Sequence, residues 1–452
     1  MSDLSRPPVC SLPTWKQALR FRLDPMALID ECQAALGEVF CLRLPGPEHW
    51  TFITSPRVVR QLYRQPPGRV SAGEIHARFL GSLFGTDATF CLDGAAHRAR
   101  QRALLPLLSQ AAQDPGIEVM VEMTTRRLAR WRGRTLRMLD ACHRLSLDFL
   151  LRILFGHRRG DAIEALGDSF ERLSTLGARS TLVALPKLQW NLGRFSPWGR
   201  IVHQRERTRG QMRALIESAR EQPEDFDGTL LIALLDHPQH AALFTGDDAL
   251  IDELMNLLFA GHETTGAALA WCLEVLAADE RIREHLRDEL DRVVGDADLD
   301  ADHLGQLHYL DAVIQETFRA KPIGPFSSFR RVEEPIELEA ATGRYRLPAG
   351  DVVAYSFSAM SQRPDLFECP HAVRPERFLG GHSTSQEWAP FGGGGRVCLG
   401  KAMALMELQV ALATFMRHAD FALVHSETRI ERSGHLLAPA EGLPMRVGPA
   451  AH

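Results

Sequence analysis

With 452 residues, 45% of them hydrophobic and 24% charged, the chain has a globular composition and is long enough to bury a large core and still enclose a cofactor. Its net charge of −5, with Lys16, Lys187, Lys321 and Lys401 the only lysines, argues against nucleic acid as a partner. Eight cysteines form no CxxC pair, the N-terminus MSDLSRPPVCSLPTWKQALRF has no apolar core, and no run reaches the roughly 18 apolar residues of a membrane span, so a reduced, cytoplasmic chain with no membrane anchor is expected.

In chain order, a short helix follows Asp24-Pro25 and carries Met26, Leu28 and Ile29. VFCLRLPG (39–46) and TFITSP (51–56) alternate or run apolar and end at Gly or Pro, as strands do. From about His97 to Arg287 the pattern is mostly helical, with LDFLLRILFG, QMRALIESAR and GTLLIALLDH apolar at three-to-four spacing and EQPEDFDG (221–228) an acidic turn. The longest helical run, DDALIDELMNLLFAGHETTGAALAWCLEVLAADE (247–280), would reach about 50 Å. It is apolar around much of its circumference and should cross the core. Strands return after Arg319 in IELEA, RYRLPAG and VVAYSFSAM, and a last helix, KAMALMELQVALATFM, follows a glycine loop. No linker or repeat divides the chain. The expectation is one α+β domain over 1–452, mainly α with a smaller mixed β region. Its β-containing portions should span roughly 30–75 and 325–385, and its helical portions roughly 90–320 and 400–418.

The loop FGGGGRVCLG, Phe391 to Gly400, is the segment richest in chemistry. Consecutive glycines let a backbone turn tightly and pass close to something flat or bulky. Arg396 stands two residues before Cys398, and the amides of the following helix point back at the sulfur; both favour thiolate. A thiolate in a dry loop suits an axial iron ligand. The plainer reading is a buried free cysteine beside a phosphate loop, but neither GxxxxGK[ST] nor GxGxxG occurs here. In the long helix, AGHETT places Gly261, Glu263 and Thr264 where a glycine costs about 1 kcal/mol and an unpaired acid is expensive to bury. That is either a tolerated glycine beside a surface acid or a small groove flanked by a hydroxyl and a carboxylate. Glu316 and Arg319, at i and i+3, are by themselves an ordinary helical ion pair.

Phe391, Gly394, Arg396, Cys398 and Gly400 fit F-x-x-G-x-R-x-C-x-G, and the chain thereby resembles the cytochrome P-450 family over nearly its whole length. The segment at Ala260–Thr265 is similar to the family's oxygen-activation motif, Glu316–Arg319 to its E-x-x-R, and Arg374–Phe378 to its P-E-R-F segment. The resemblance implies a P-450 fold with the long helix crossing the core, and heme b (iron protoporphyrin IX) as cofactor. Cys398 would be the metal ligand, and Phe391, Gly392, Arg396, Gly400, Ala260 and Gly261 would lie against the haem. Thr264 would hydrogen-bond dioxygen and Glu263 would feed protons. Glu316, Arg319 and Arg377 would fix the cysteine loop. The two haem propionates need cations: His97 with Arg102, Arg330 or Arg331, and Arg396 are the candidates. The family's usual H-x-x-x-R has Gln101 at its arginine position here, between Arg100 and Arg102.

The activity so implied is a soluble, bacterial-type haem-thiolate monooxygenase that inserts one atom of O2 into a lipophilic small-molecule substrate, by hydroxylation or epoxidation. The substrate pocket would draw on Phe79–Phe84, residues 174–190, Phe259, Ala260, Ile323–Ser328 and Leu436–Leu437. The chain ends soon after the cysteine helix, so electrons are expected from a separate ferredoxin or flavodoxin with its reductase. The alternatives are a peroxide-using or non-oxygenating haem-thiolate enzyme and a non-enzymatic haem-binding protein.

Overall fold

The computed structural model describes residues 4–44, 46, 48–110, 114–184, 189–381, 388–433 and 436–449. Seven helices frame the candidate site and its surroundings: α1 (Thr14–Leu23), α2 (Pro25–Leu36), α3 (Gly94–Gln110), α4 (Met138–Phe155), α5 (Asp247–Ala278), α6 (His308–Ala320) and α7 (Lys401–His418).

The predicted long helix is α5. It runs from Asp247 to Ala278, with Asp247 and Asp248 in its first turn, where carboxylates suit the positive end of the helix dipole. Most of its side chains are buried, as its all-round apolar pattern requires. α4 crosses it closely, through two glycines. A Cβ on Gly266 would lie 2.7 Å from the His143 Cα, and one on Gly261 would lie 2.8 Å from the Leu150 Cδ1. α7 packs against α5 and against the helix Asp114–Trp131.

Among the described residues the β elements form four small sheets. A five-stranded sheet is ordered 39–42, 50–53, 352–355, 330–332, 70–71, and 50–53 pairs parallel with 352–355 in the register Phe52↔Ala354. Residues 336–340 and 343–347 make a hairpin with alternating buried and exposed residues. Residues 444–449 pair with 135–137 and 419–423, and 430–433 pairs with 436–439. These last five strands lie outside the predicted β portions of 30–75 and 325–385. They are three to six residues long, too short for a period-two pattern to stand out, and 135–137 is wedged between two long helices. Among the described residues no helix is long and apolar enough to cross a membrane.

Candidate functional site

The cysteine loop is held by its own backbone. The Gly392 N–H donates to the Ala389 carbonyl at 2.9 Å, and the Cys398 N–H to the Phe391 carbonyl at 3.0 Å. Gly392 and Gly394 have φ of 70° and 64°, the left-handed region where a Cβ is strained. Gly393 is required for a different reason: a Cβ there would lie 2.6 Å from a ring carbon of Tyr63. The glycines thus let the loop lie on Tyr63 and Tyr355, whose hydroxyls are 2.5 Å apart.

Cys398 opens onto a cavity of about 430 Å³. Ala260, Gly261 and Thr264 of α5 line the same cavity. Burial pushes the Cys398 thiol up, while the Gly400 N–H and the charge of Lys401 pull it down. Lys401 itself lies 5.6 Å from the centre of the Phe391 ring. Arg396 does not serve the sulfur as the sequence suggested. It reaches away, to the carbonyls of Phe90 and Leu92 and the Asp93 carboxylate, and so ties the loop to the entrance of α3.

On α5 the Thr264 hydroxyl donates to the Ala260 carbonyl at 2.6 Å. Such back-bonding competes for a carbonyl of the helix ladder one residue before Gly261, although the helix runs unbroken there. Glu263 is not among the residues lining the cavity. It lies mostly buried, 3.9 Å from the His262 Nε2, and burial pushes its carboxyl up to about 7.

Two arginines, Arg330 and Arg396, and one histidine, His97, line the cavity among the described residues. Burial, and then the charge of Arg396, hold His97 down at about 4, so its ring is neutral. Arg330 is buried, stacks 5.8 Å from the centre of the Tyr63 ring, and has an Nη1 without a hydrogen-bond partner among the described residues. A buried guanidinium nitrogen without a partner suits a ligand that carries a carboxylate. Arg102 is a correction. It is exposed, donates only to the Arg98 carbonyl at 3.3 Å among the described residues, and stands away from the cavity. The buried arginine of α3 is Arg100, and it pairs with Asp87 and the buried Glu253. Arg331, the other named candidate, pairs with Glu74 outside the cavity. The two-residue shift follows from the packing of α3: His97, Arg100 and Leu104 share its buried face, and position 102 points out.

Glu316 and Arg319 of α6 are wholly buried and joined by two bonds of 2.7 and 2.8 Å. Arg319 spends its remaining N–H groups on the carbonyls of Ser361, Pro370 and Ala372. The Arg374 N–H and the Arg377 guanidinium converge on the Glu316 Oε1, and Arg377 also bonds the Cys369 carbonyl. The weakest motif by spacing alone is thus a densely bonded, wholly buried network.

The expected substrate segments divide. Ile323, Gly324, Phe326, Ser327, Ser328 and Leu436 line the cavity; Phe79–Phe84 does not, and of residues 174–190 positions 185–188 lie outside the described residues. Sequence reasoning missed Tyr355, Trp388, Glu253 and Asn256, all of which line the cavity. They come from segments without a motif, and only the alternating α5 stripe 253, 256, 257, 260, 264 carried a signal for two of them.

A cysteine on a glycine loop and a core helix with Gly261 and Thr264 thus line one largely apolar cavity, together with the buried Arg330, whose Nη1 has no partner among the described residues. Residues 7–443 match the family model described as Cytochrome P450, and the chain belongs to that family, whose membership implies a haem-thiolate cofactor. It is 32% identical over 447 residues to cytochrome P450 138 of Mycobacterium tuberculosis, covering 96% of this chain and 95% of that one. A second M. tuberculosis relative, cytochrome P450 137, is 30% identical over 372 residues, covering 82% and 74%. Among solved structures, the retinoic acid-bound cyanobacterial CYP120A1 superposes with a TM-score of 0.82 at 24% identity, covering 99% of this chain and 100% of that one. The heme domain of cytochrome P450DA gives 0.84 at 19%, covering 99% and 98%. These two likenesses speak to the fold: mainly helical, with small sheets.

Proposed function

We propose that the protein is a monooxygenase that inserts one atom of O2 into a lipophilic small molecule, with electrons from a separate ferredoxin or flavodoxin and its reductase. The observation that carries this reading is that Cys398, Gly261 and Thr264 line one largely apolar cavity. Heme b held there would supply electron transfer and oxygen activation. Cys398 would ligate its iron, and His97, Arg330 and Arg396 would meet its carboxylates.

The chain's own residues then have distinct tasks. Gly261 lets α4 close on α5 beside the cavity, its missing Cβ making room for the Leu150 side chain. Thr264 holds a hydroxyl proton beside the cavity, bonded for now to the Ala260 carbonyl and able to turn toward an acceptor in the cavity. Glu263, pushed up to about 7, exchanges protons near neutrality, as a proton donor should. Leu150, Ile153, Leu154 and Leu257 exclude water and favour an apolar substrate.

The test is purification with haem, a spectrum of the reduced carbon monoxide complex, and turnover of candidate lipophiles with a surrogate ferredoxin system under isotopically labelled O2. Label in the product supports the reading. A red-shifted carbon monoxide band with electrons consumed but no label in any product would favour a haem-binding protein of another function.

A further inference from the structure

The cavity is largely apolar, yet the first half of α5 brings two polar side chains to it, Glu253 and Asn256. They stand three residues apart, close to one helical turn, and so share a face. Glu253 is 1% exposed and Asn256 4%. The Glu253 carboxylate is used on one oxygen only. Its Oε2 accepts from the Thr89 N–H at 2.8 Å, the Thr89 hydroxyl at 2.9 Å and the Arg100 guanidinium at 3.1 Å. Among the described residues nothing donates to its Oε1. Asn256 is poorer still in partners. Its amide donates at 3.5 Å to the Asp252 carbonyl, the limit of a hydrogen bond, and its Oδ1 has no partner among the described residues. A buried amide oxygen is rarely left without a donor, and this one borders a cavity made to be filled.

Charge at this end of α5 has one sign left over. A single guanidinium, Arg100, serves two carboxylates, Glu253 and Asp87. Its other bonds go to the carbonyls of Leu243 and Asp87. Arg209 and Arg213 are bound to Asp248 and Asp252. Four acids thus meet three arginines. Of the arginines that line the cavity, Arg396 is offset by Asp93 and Arg330 stacks on Tyr63. Burial pushes the Glu253 carboxyl up, while the charge of Arg100 and the Thr89 bonds pull it down. Three donors on one oxygen suit the ionised form, and a cation beside the other oxygen would complete its balance.

We propose that Glu253 and Asn256 form a subsite for a protonated amine, so that the substrates of this protein are lipophilic amines whose ammonium donates to the Glu253 Oε1 and the Asn256 Oδ1. The word substrate rests on the proposed function; the binding subsite does not. Thr264 follows Glu253 by eleven residues and Asn256 by eight, about 16 and 12 Å along the axis of α5. An ammonium held at the subsite leaves its aliphatic body to run along the stripe of Leu257, Ala260 and Thr264, which also lines the cavity. The length of that body then decides which carbon reaches Thr264.

The test is calorimetric titration of the haem-loaded protein with N,N-dimethyldecylamine, decyl methyl ether and decanoate, with melting temperature and haem spectrum as checks of folding. The three probes share a chain and differ in the charge of the head. The ammonium should bind about tenfold or more tighter than the ether, and tighter than decanoate. Glu253→Gln should remove most of that preference and Asn256→Leu should reduce it severalfold, each leaving the affinity for the ether within about twofold. Asn256→Leu leaves Arg100 with both its carboxylates, so it carries the test alone if Glu253→Gln does not fold. Equal binding of ammonium and ether by the native protein, tighter binding of decanoate, no binding of any probe, or a preference that survives in every folded variant overturns the proposal. So does a haem spectrum showing nitrogen on the iron, since the amine is then not at Glu253. A Glu253→Gln protein that melts lower but prefers the ammonium as before would leave the glutamate as a brace between α3 and α5, and would also overturn it. Preference for the ammonium, lost in the variants, with no labelled oxygen transferred to any amine keeps the subsite and removes only the monooxygenase reading.

Discussion

Glu407 lies nine residues beyond Cys398 on α7, wholly buried, with the Ser146 hydroxyl donating to it at 3.1 Å; that same hydroxyl also reaches the Gly261 carbonyl at 3.4 Å. Burial pushes its carboxyl up to about 8. A carboxyl whose folded value is raised contributes stability that is fully present below the unfolded value and lost as pH climbs through the folded one. The window for Glu407 is therefore from about 4.5 to about 8, and Glu263 adds a loss of the same sign up to about 7. Glu407→Gln should flatten that decline, melting close to the native protein at the acid end of the window and a few °C or so higher at its alkaline end. Calorimetry across the window checks this, and parallel curves for the two proteins would count against it. At Cys398 the readout is spectroscopic. Cys398→His should lose the strongly red-shifted Soret band of the reduced carbon monoxide complex, and survival of the band would mean that another cysteine holds the iron. Thr264→Ala should keep haem and substrate binding but release more peroxide per electron pair consumed. Unchanged coupling would remove Thr264 from proton delivery.

At the scale of elements, the contact between α4 and α5 shows what a motif leaves unsaid. Gly261 was legible because it belongs to a signature. Gly266 was not, since its reason is the His143 backbone, more than a hundred residues earlier in the chain. A methyl on Gly266 meets that backbone, which cannot turn aside. A methyl on Gly261 meets the end of the Leu150 side chain, which can. Gly266→Ala should therefore cost about 1–3 kcal/mol and lower the melting temperature, with Gly261→Ala costing less in stability. The reverse order would mean that the helices part more easily than they pack. α6 gives the opposite lesson. The i,i+3 pair looked like a surface salt bridge worth a few tenths of a kcal/mol, and only the resemblance pointed to a buried role. Buried and fully bonded, it behaves as a unit. Removing one partner leaves an uncompensated charge at a cost of about 3–5 kcal/mol, so Glu316→Ala should yield little holoprotein rather than a folded, inactive one.

For the molecule as a whole, the sequence showed the long helices and the cysteine loop because their signals are local: a period of 3.6, a run of glycines, a cysteine before a helix. The C-terminal sheets and Arg100 were not legible, because short strands carry too few residues to show a period, and because only packing decides which of three neighbouring arginines turns inward. The cavity belongs to this scale too, being walled by α3, α4, α5, α6, the 322–330 segment and the cysteine loop together. Its walls are fastened unequally. Glu316, Arg319 and Arg377 make a closed network of protein groups alone. Arg330 has an Nη1 without a partner among the described residues, and the cysteine loop is tied across to α3 chiefly by Arg396. A cofactor that binds only the folded state stabilises it by about 4 kcal/mol at a thousandfold excess over its dissociation constant. That gain should fall on the loosely fastened walls. In hydrogen exchange, haem removal should strip protection from 388–400 and 89–104 while sparing 308–320 and 369–377. Equal loss in all four segments would show that haem holds the whole fold and not one side of its pocket.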